Sequence, residues 1–94
     1  MMFVKMYKIV ERYVSGEKNY YLSEITLNTN QITYMSENLE LSTLLREGKM
    51  NLDLNEGASF SNIRLSNGNQ ITVIGNPAEI QSKIMKSSKK ILRG

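Results

Sequence analysis

Apolar and polar side chains alternate through the first third of the chain and again from residue 61 to 75, and between and after these stretches the apolar spacing turns helical. Phe3 to Val14 is rich in β-branched and aromatic residues and predicts a strand, with Ser15-Gly16-Glu17-Lys18-Asn19 as the turn that follows. The next strand, Tyr20 to Leu27, sets Tyr21, Ile25 and Leu27 on one face and Glu24, Thr26 and Asn28 on the other, with Leu22 an apolar exception on the wetter side. That is the pattern of a sheet solvated on one face. After Asn28-Thr29-Asn30, residues Gln31 to Met35 predict a short third strand.

From residue 36 to 57 the character changes. Leu39, Leu41, Leu44 and Leu45 follow Ser36-Glu37-Asn38, and Gly48 stands just past Arg46-Glu47, which predicts a helix of about two turns with a left-handed glycine cap. In Lys49 to Gly57, Met50, Leu52 and Leu54 alternate with Asn51, Asp53 and Asn55, a pattern that fits a short strand or an ordered loop equally.

The segment Ser61 to Gly75 contains Asn67-Gly68 between two alternating runs, the strongest short-range signal for a β-hairpin. Its loop length follows from the side chains. A two-residue loop would set Ile63 opposite Thr72 and Leu65 opposite Gln70, mixing apolar and polar on each face. A three-residue loop ending in a left-handed Gly68 sets Ile63 opposite Ile71 and keeps Leu65 and Val73 on the same side, so the longer loop is predicted. Asn76-Pro77-Ala78-Glu79 then opens a helix: Asn76 caps, Pro77 suits the first turn, and Glu79 reaches back to the cap. Along it Ile80, Ile84 and Ile91 share a stripe with Ser87, widened by Met85 and Leu92, while Lys83, Lys86, Lys89, Lys90 and Arg93 take the opposite arc. The expected architecture is α+β: a bent antiparallel sheet or small open barrel of about five strands, with a short central helix and a C-terminal amphipathic helix.

At 94 residues the chain is one domain, and a domain this small has a core of marginal stability, so self-association is expected as a supplement. Ile, Leu, Val and Phe make up about a quarter of it, above the range of disordered chains. There is no cysteine, histidine or tryptophan, which excludes a disulfide framework, thiolate or imidazole metal sites, and every His-based triad. The opening apolar run is interrupted by Lys5 and Lys8 and leads to no cleavage site; neither an export signal nor a membrane span is read, and the cytoplasm is the expected location.

The formal charge is +3, yet residues 76–94 alone carry +4 and the other 75 residues sum to −1. The terminal helix is therefore the candidate footprint for a polyanion or an acidic partner, through Lys83, Lys86, Lys89, Lys90 and Arg93. The competing explanation is an ordinary solvated helix face whose cations complement the C-terminal dipole. Tyr7, Tyr13, Tyr20, Tyr21 and Tyr34 all fall on expected strands near basic residues; core or oligomer contacts are the favoured role, and a stacking platform for single-stranded nucleic acid the rival. For catalysis only carboxylates, hydroxyls and lysines remain. Asp53 with Glu56, and Glu11 with Glu24 across the first hairpin, are the pairs that folding could bring together. No phosphate loop, dinucleotide fingerprint or nucleophile elbow occurs. No metal or cofactor is expected.

The order of Asn28, Ile32, then Ile63-x-Leu65-x-Asn67-Gly68-x-x-Ile71-x-Val73, then Glu79-Ile80 after Pro77-Ala78, resembles the small flagellar and swarming motility proteins of the FlbD/SwrD type over about half the chain. The resemblance implies a hairpin followed by a capped helix. The N-terminal hairpin and the insert from Ser36 to Gly57 depart from that pattern, so a motility role is not carried over. Short β-rich phage and bacterial proteins with much Asn, Lys and Ile resemble the chain equally. The expected function is a non-enzymatic interaction module that self-associates and binds another protein; the alternatives are nucleic-acid binding through the basic helix and an oligomer that sequesters a small ligand.

Overall fold

The computed structural model describes the backbone of residues 2–93 and the side chains of residues 2–87. Strands β1 (Phe3–Val14) and β2 (Glu17–Asn28) form a hairpin paired along its whole length, from Phe3 opposite Asn28 to Val14 opposite Glu17. The turn is only Ser15-Gly16, both at positive φ (52° and 81°), the mirror-image geometry whose twist matches that of the flanking strands. The five-residue turn expected from Ser15 to Asn19 is thus shorter, because Glu17, Lys18 and Asn19 take ladder positions against Val14, Tyr13 and Arg12.

A 3-10 turn, Thr29–Gln31, leads to β3 (Ile32–Glu37), then α1 (Leu39–Arg46), β4 (Phe60–Leu65), β5 (Gln70–Ile74) and α2 (Pro77–Arg93). All five strands join one antiparallel sheet in the order β2-β1-β5-β4-β3. Laid flat, that order would hold β2 and β3 about 19 Å apart. The link from Asn28 to Ile32 spans at most about 14 Å even when extended, and here it is coiled. The sheet is therefore strongly bent and open, as expected.

The β4–β5 hairpin has the longer loop: Ile63 faces Ile71, Gly68 lies at φ 90°, its N–H donates to the Leu65 carbonyl (2.9 Å), and the Leu65 N–H donates to the Asn69 carbonyl (2.8 Å). Asn38 caps α1, accepting the Leu41 N–H at 3.0 Å. Past its end, the Lys49 N–H donates to Leu44 and the Gly48 N–H to Leu45, the paired bonds of a left-handed glycine stop. Residues 49–57 are a loop, which settles the open alternative.

Strand alternation divides the core between the two faces of the sheet. Val4, Met6, Ile63 and Val73 point to one, where α2 lays Ile80 and the half-buried Ile84 over them. Phe60, Ile9 and Tyr20 point to the other, beneath Leu41 and Leu45 of α1 and Met50 of the loop. Each face is thus partly covered, where the pattern along β2 suggested one dry and one wet; the 49–57 loop folds its apolar pegs back onto the second face. Ile91 and Leu92 lie outside the described side chains.

At the head of α2 the capping box is complete: the Glu79 N–H donates to Asn76 Oδ1 (2.8 Å) and the Asn76 N–H to Glu79 Oε1 (3.1 Å), which also accepts from Ser59 Oγ (3.2 Å). Asn76→Ala removes the acceptor for the helix's first turn and is expected to cost about 1 kcal/mol. Thermal unfolding followed by circular dichroism should read this as a midpoint lowered by about 4–8 °C.

Candidate functional surfaces

The β1–β5 ladder holds a single registered pair, Lys8 with Val73. Toward the hairpin tip β1 diverges from β5, and the opening between them is a cavity of about 430 Å³. Its wall includes Glu11 and Tyr20 of the hairpin, Glu40 and Leu41 of α1, and Gln70 and Thr72 of β5. A polar lattice fixes the α1 side: Asn62 Oδ1 accepts from Asn38 Nδ2 (3.1 Å) and from Thr72 Oγ1 (2.8 Å), tying the helix start to both strands of the second hairpin. Glu11 lies 3.7 Å from Lys18 Nζ, and this carboxylate, with the Tyr13 and Tyr20 phenols adding, raises the Lys18 ammonium above the ordinary lysine range. The mouth thus presents acids, amides and the two lysines Lys8 and Lys18 around a short apolar floor, a lining suited to holding a polar segment.

The carboxylate pair read across the first hairpin is not assembled. Glu11 stands opposite Tyr20 and Glu24 opposite Tyr7, four residues away along β1. Each has its own lysine, Lys18 for Glu11 and Lys5 for Glu24 (3.8 Å). Asp53 and Glu56 are exposed on the loop, and among the described residues no group of three acidic side chains converges as a metal site.

Four of the five tyrosines are exposed: Tyr7, Tyr13, Tyr21 and Tyr34. Tyr20 is the correction. It is 5% exposed, buried among Ile9, Leu41, Leu45, Met50 and Phe60, and so offers no surface to a partner. The loop that buries it also grips its backbone: Asn51 Oδ1 accepts the Tyr20 N–H (2.6 Å) and Asn51 Nδ2 donates to the Tyr20 carbonyl (2.9 Å). Nor do the exposed rings share one platform. Tyr7 and Tyr13 lie on one face of the hairpin and Tyr21 on the other, while Tyr34 lies on β3 at the far edge. Cations attend three of them: Arg12 is 5.5 Å from the Tyr21 ring, Lys18 6.0 Å from Tyr13 and Arg64 5.7 Å from Tyr34.

On α2 the predicted cationic arc begins with Lys83 and Lys86, both exposed. Lys83 serves the fold itself, because its ammonium donates to the Lys5 carbonyl at 2.8 Å and fastens the helix to β1. Lys89, Lys90 and Arg93 lie outside the described side chains.

Missed in the sequence were Asn51 and Asn62, whose side-chain amides act on strands far away in the chain. Their only sequence signal is an amide residue within an apolar alternation. No helix among the described residues is long and apolar enough to cross a membrane. Comparison with family models, curated proteins and solved structures finds no match to the chain.

Proposed function

We propose that the chain is a non-enzymatic interaction module that associates with itself and binds another protein. One observation carries this reading: of the nine large apolar side chains left exposed among the described residues, six (Phe3, Tyr7, Tyr13, Val14, Tyr21 and Leu22) sit on the β1–β2 hairpin. Scattered exposed apolar residues are ordinary; here four of the six, Phe3, Tyr7, Tyr13 and Leu22, share one face of the hairpin, which supports that face as a contact surface. Tyrosine suits such a surface, since its ring gives apolar area at low entropic cost while its hydroxyl stays hydrated. The cavity between β1 and β5 opens on the same hairpin and supplies polar groups for orientation.

Native mass spectrometry of the freshly purified chain tests the reading. The expected result is a homo-oligomer without bound small-molecule mass. A bare monomer across the micromolar range overturns self-association, and a retained small molecule turns the cavity into a ligand site instead.

A further inference from the structure

The sheet has two edges, β2 and β3, and they are not alike. β3 is six residues long with a register shift between Ile32 and Tyr34, a break that discourages pairing with another strand. β2 is twelve residues long and its pairing to β1 is unbroken. The two-residue turn sets its hydrogen-bond phase. Val14 and Glu17 close the turn as a bonded pair, so odd-numbered β2 residues bond inward to β1 and even-numbered ones direct N–H and C=O outward. The pair of hydrogen bonds between Asn51 and Tyr20 bears out this phase, because an outside group reaches both backbone atoms of an even-numbered residue.

Asn51 therefore covers the edge at Tyr20 and leaves it bare from Leu22 onward. Among the described residues no side chain or neighbouring strand bonds the outward backbone groups of Leu22, Glu24 or Thr26. The stretch from Leu22 to Asn28 has none of the usual safeguards: no proline, no bulge, no lysine. Its one charge, Glu24, is paired with Lys5.

We infer that this bare edge pairs with the same edge of a second copy, antiparallel about a two-fold axis at Ile25. The inference rests on the self-association proposed above and names its surface. Outward residues must oppose outward residues, and centring on Ile25 uses the whole free stretch: Leu22 meets Asn28 of the second copy, and Glu24 meets Thr26. The two Glu24 side chains are then not directly opposed. Lys5, which stands beside Thr26 within its own subunit, shares a cross-strand row with the Glu24 of the second copy at about 10 Å, so each carboxylate keeps its own Lys5 and has a second cation across the joint. On the other face Ile25 meets Ile25, and the half-buried Ile25 and Leu27 gain cover. The pairing is isologous and closes on itself, giving a dimer and not a fibre.

Three variants test it. Thr26→Pro removes an outward N–H without touching the ladder to β1, where proline is tolerated on an edge, and should weaken the dimer about a hundredfold or more with the circular dichroism unchanged. The chain has no cysteine, so a single introduced one reports contact cleanly. Ile25→Cys places two thiols in a non-bonded pair about 4.5 Å apart at Cα, within disulfide reach, and should oxidise to a covalent dimer, while Ser23→Cys should not. An oligomer that survives Thr26→Pro and gives no Ile25→Cys cross-link overturns edge pairing and leaves self-association standing. Cross-linking through Ser23→Cys alone overturns the register, and a monomeric parent chain overturns both. If Thr26→Pro fails to fold, the cysteine pair decides.

Discussion

Phe60→Ala is expected to cost about 3–5 kcal/mol, a large share of the roughly 5–15 kcal/mol available to a domain of this kind. The ring has no solvent exposure and joins α1, the 49–57 loop and the first hairpin in one cluster. Relaxation around the void is limited because the backbone at the same residue is committed: the Phe60 carbonyl accepts the Asn38 N–H at 2.8 Å, which fixes α1 against β4 where the ring would be missing. A thermal midpoint lower by about 15–30 °C follows, and the urea midpoint should fall in parallel. Phe60→Leu, which keeps most of the volume, is expected to lose about 1–2 kcal/mol. The control is Met85→Ala on α2, half exposed and expected to change stability by about 0.5 kcal/mol or less. Equal effects at Phe60 and Met85 would show that the cluster under α1 is not a packed core.

What the sequence made readable follows from how far apart the deciding residues lie. The Asn76–Glu79 box and the Gly48 stop are decided within five residues, and each is present in the fold. The loop at Gly68 was readable for a different reason: opposed residues share a face, so Ile63 must meet Ile71 if the apolar side is to stay continuous. Tyr20 was not readable. Its own strand pattern gives its face, but its burial comes from Leu41 and Leu45 of α1 and from Met50, all more than twenty positions further along the chain, arriving on top of it. The alternation of Met50, Leu52 and Leu54 fits a strand equally well; in the fold these side chains pack onto the face under α1, and only the side chain of Asn51, not the loop backbone, bonds β2. The candidate surfaces divide the same way. Tyrosines and lysines can be counted in the sequence, but the bend of the sheet decides that Tyr21 and Tyr7 face apart and that Lys83 bonds the Lys5 carbonyl.

Asn51→Ala is expected to cost about 1–3 kcal/mol, since one side chain makes both bonds that hold the loop to the hairpin. The amide stands in for a strand residue: it accepts from and donates to Tyr20 as a neighbouring backbone would, and so turns an edge into an interior position. Its loss frees the Tyr20 backbone and also loosens the hold on Met50 beside it, which packs against the Tyr20 ring. Hydrogen exchange should report the change locally, with faster exchange at the Tyr20 amide and across 49–57 than in the β4–β5 hairpin. Asn51→Asp separates geometry from hydrogen bonding. Ionised, the carboxylate keeps the acceptor for the Tyr20 N–H but has no proton for the Tyr20 carbonyl, so at neutral pH it should be as destabilised as the alanine variant or more. In acid the protonated carboxyl can donate again, and the folded state favours that form. Relative to the parent chain at the same pH, the aspartate variant should therefore regain stability as the pH falls and lose it as the pH rises, while the alanine variant shows no such crossing. A flat difference for both would mean that Asn51 serves the loop by shape alone. In a pairing centred on Ile25, Tyr20 stands opposite Asn30 of the second copy, beyond the end of β2, so Asn51→Ala should leave the dimer dissociation constant unchanged by analytical ultracentrifugation. Reduced stability of the subunit with unchanged association separates the loop's hold on Tyr20 from the pairing edge between Leu22 and Asn28.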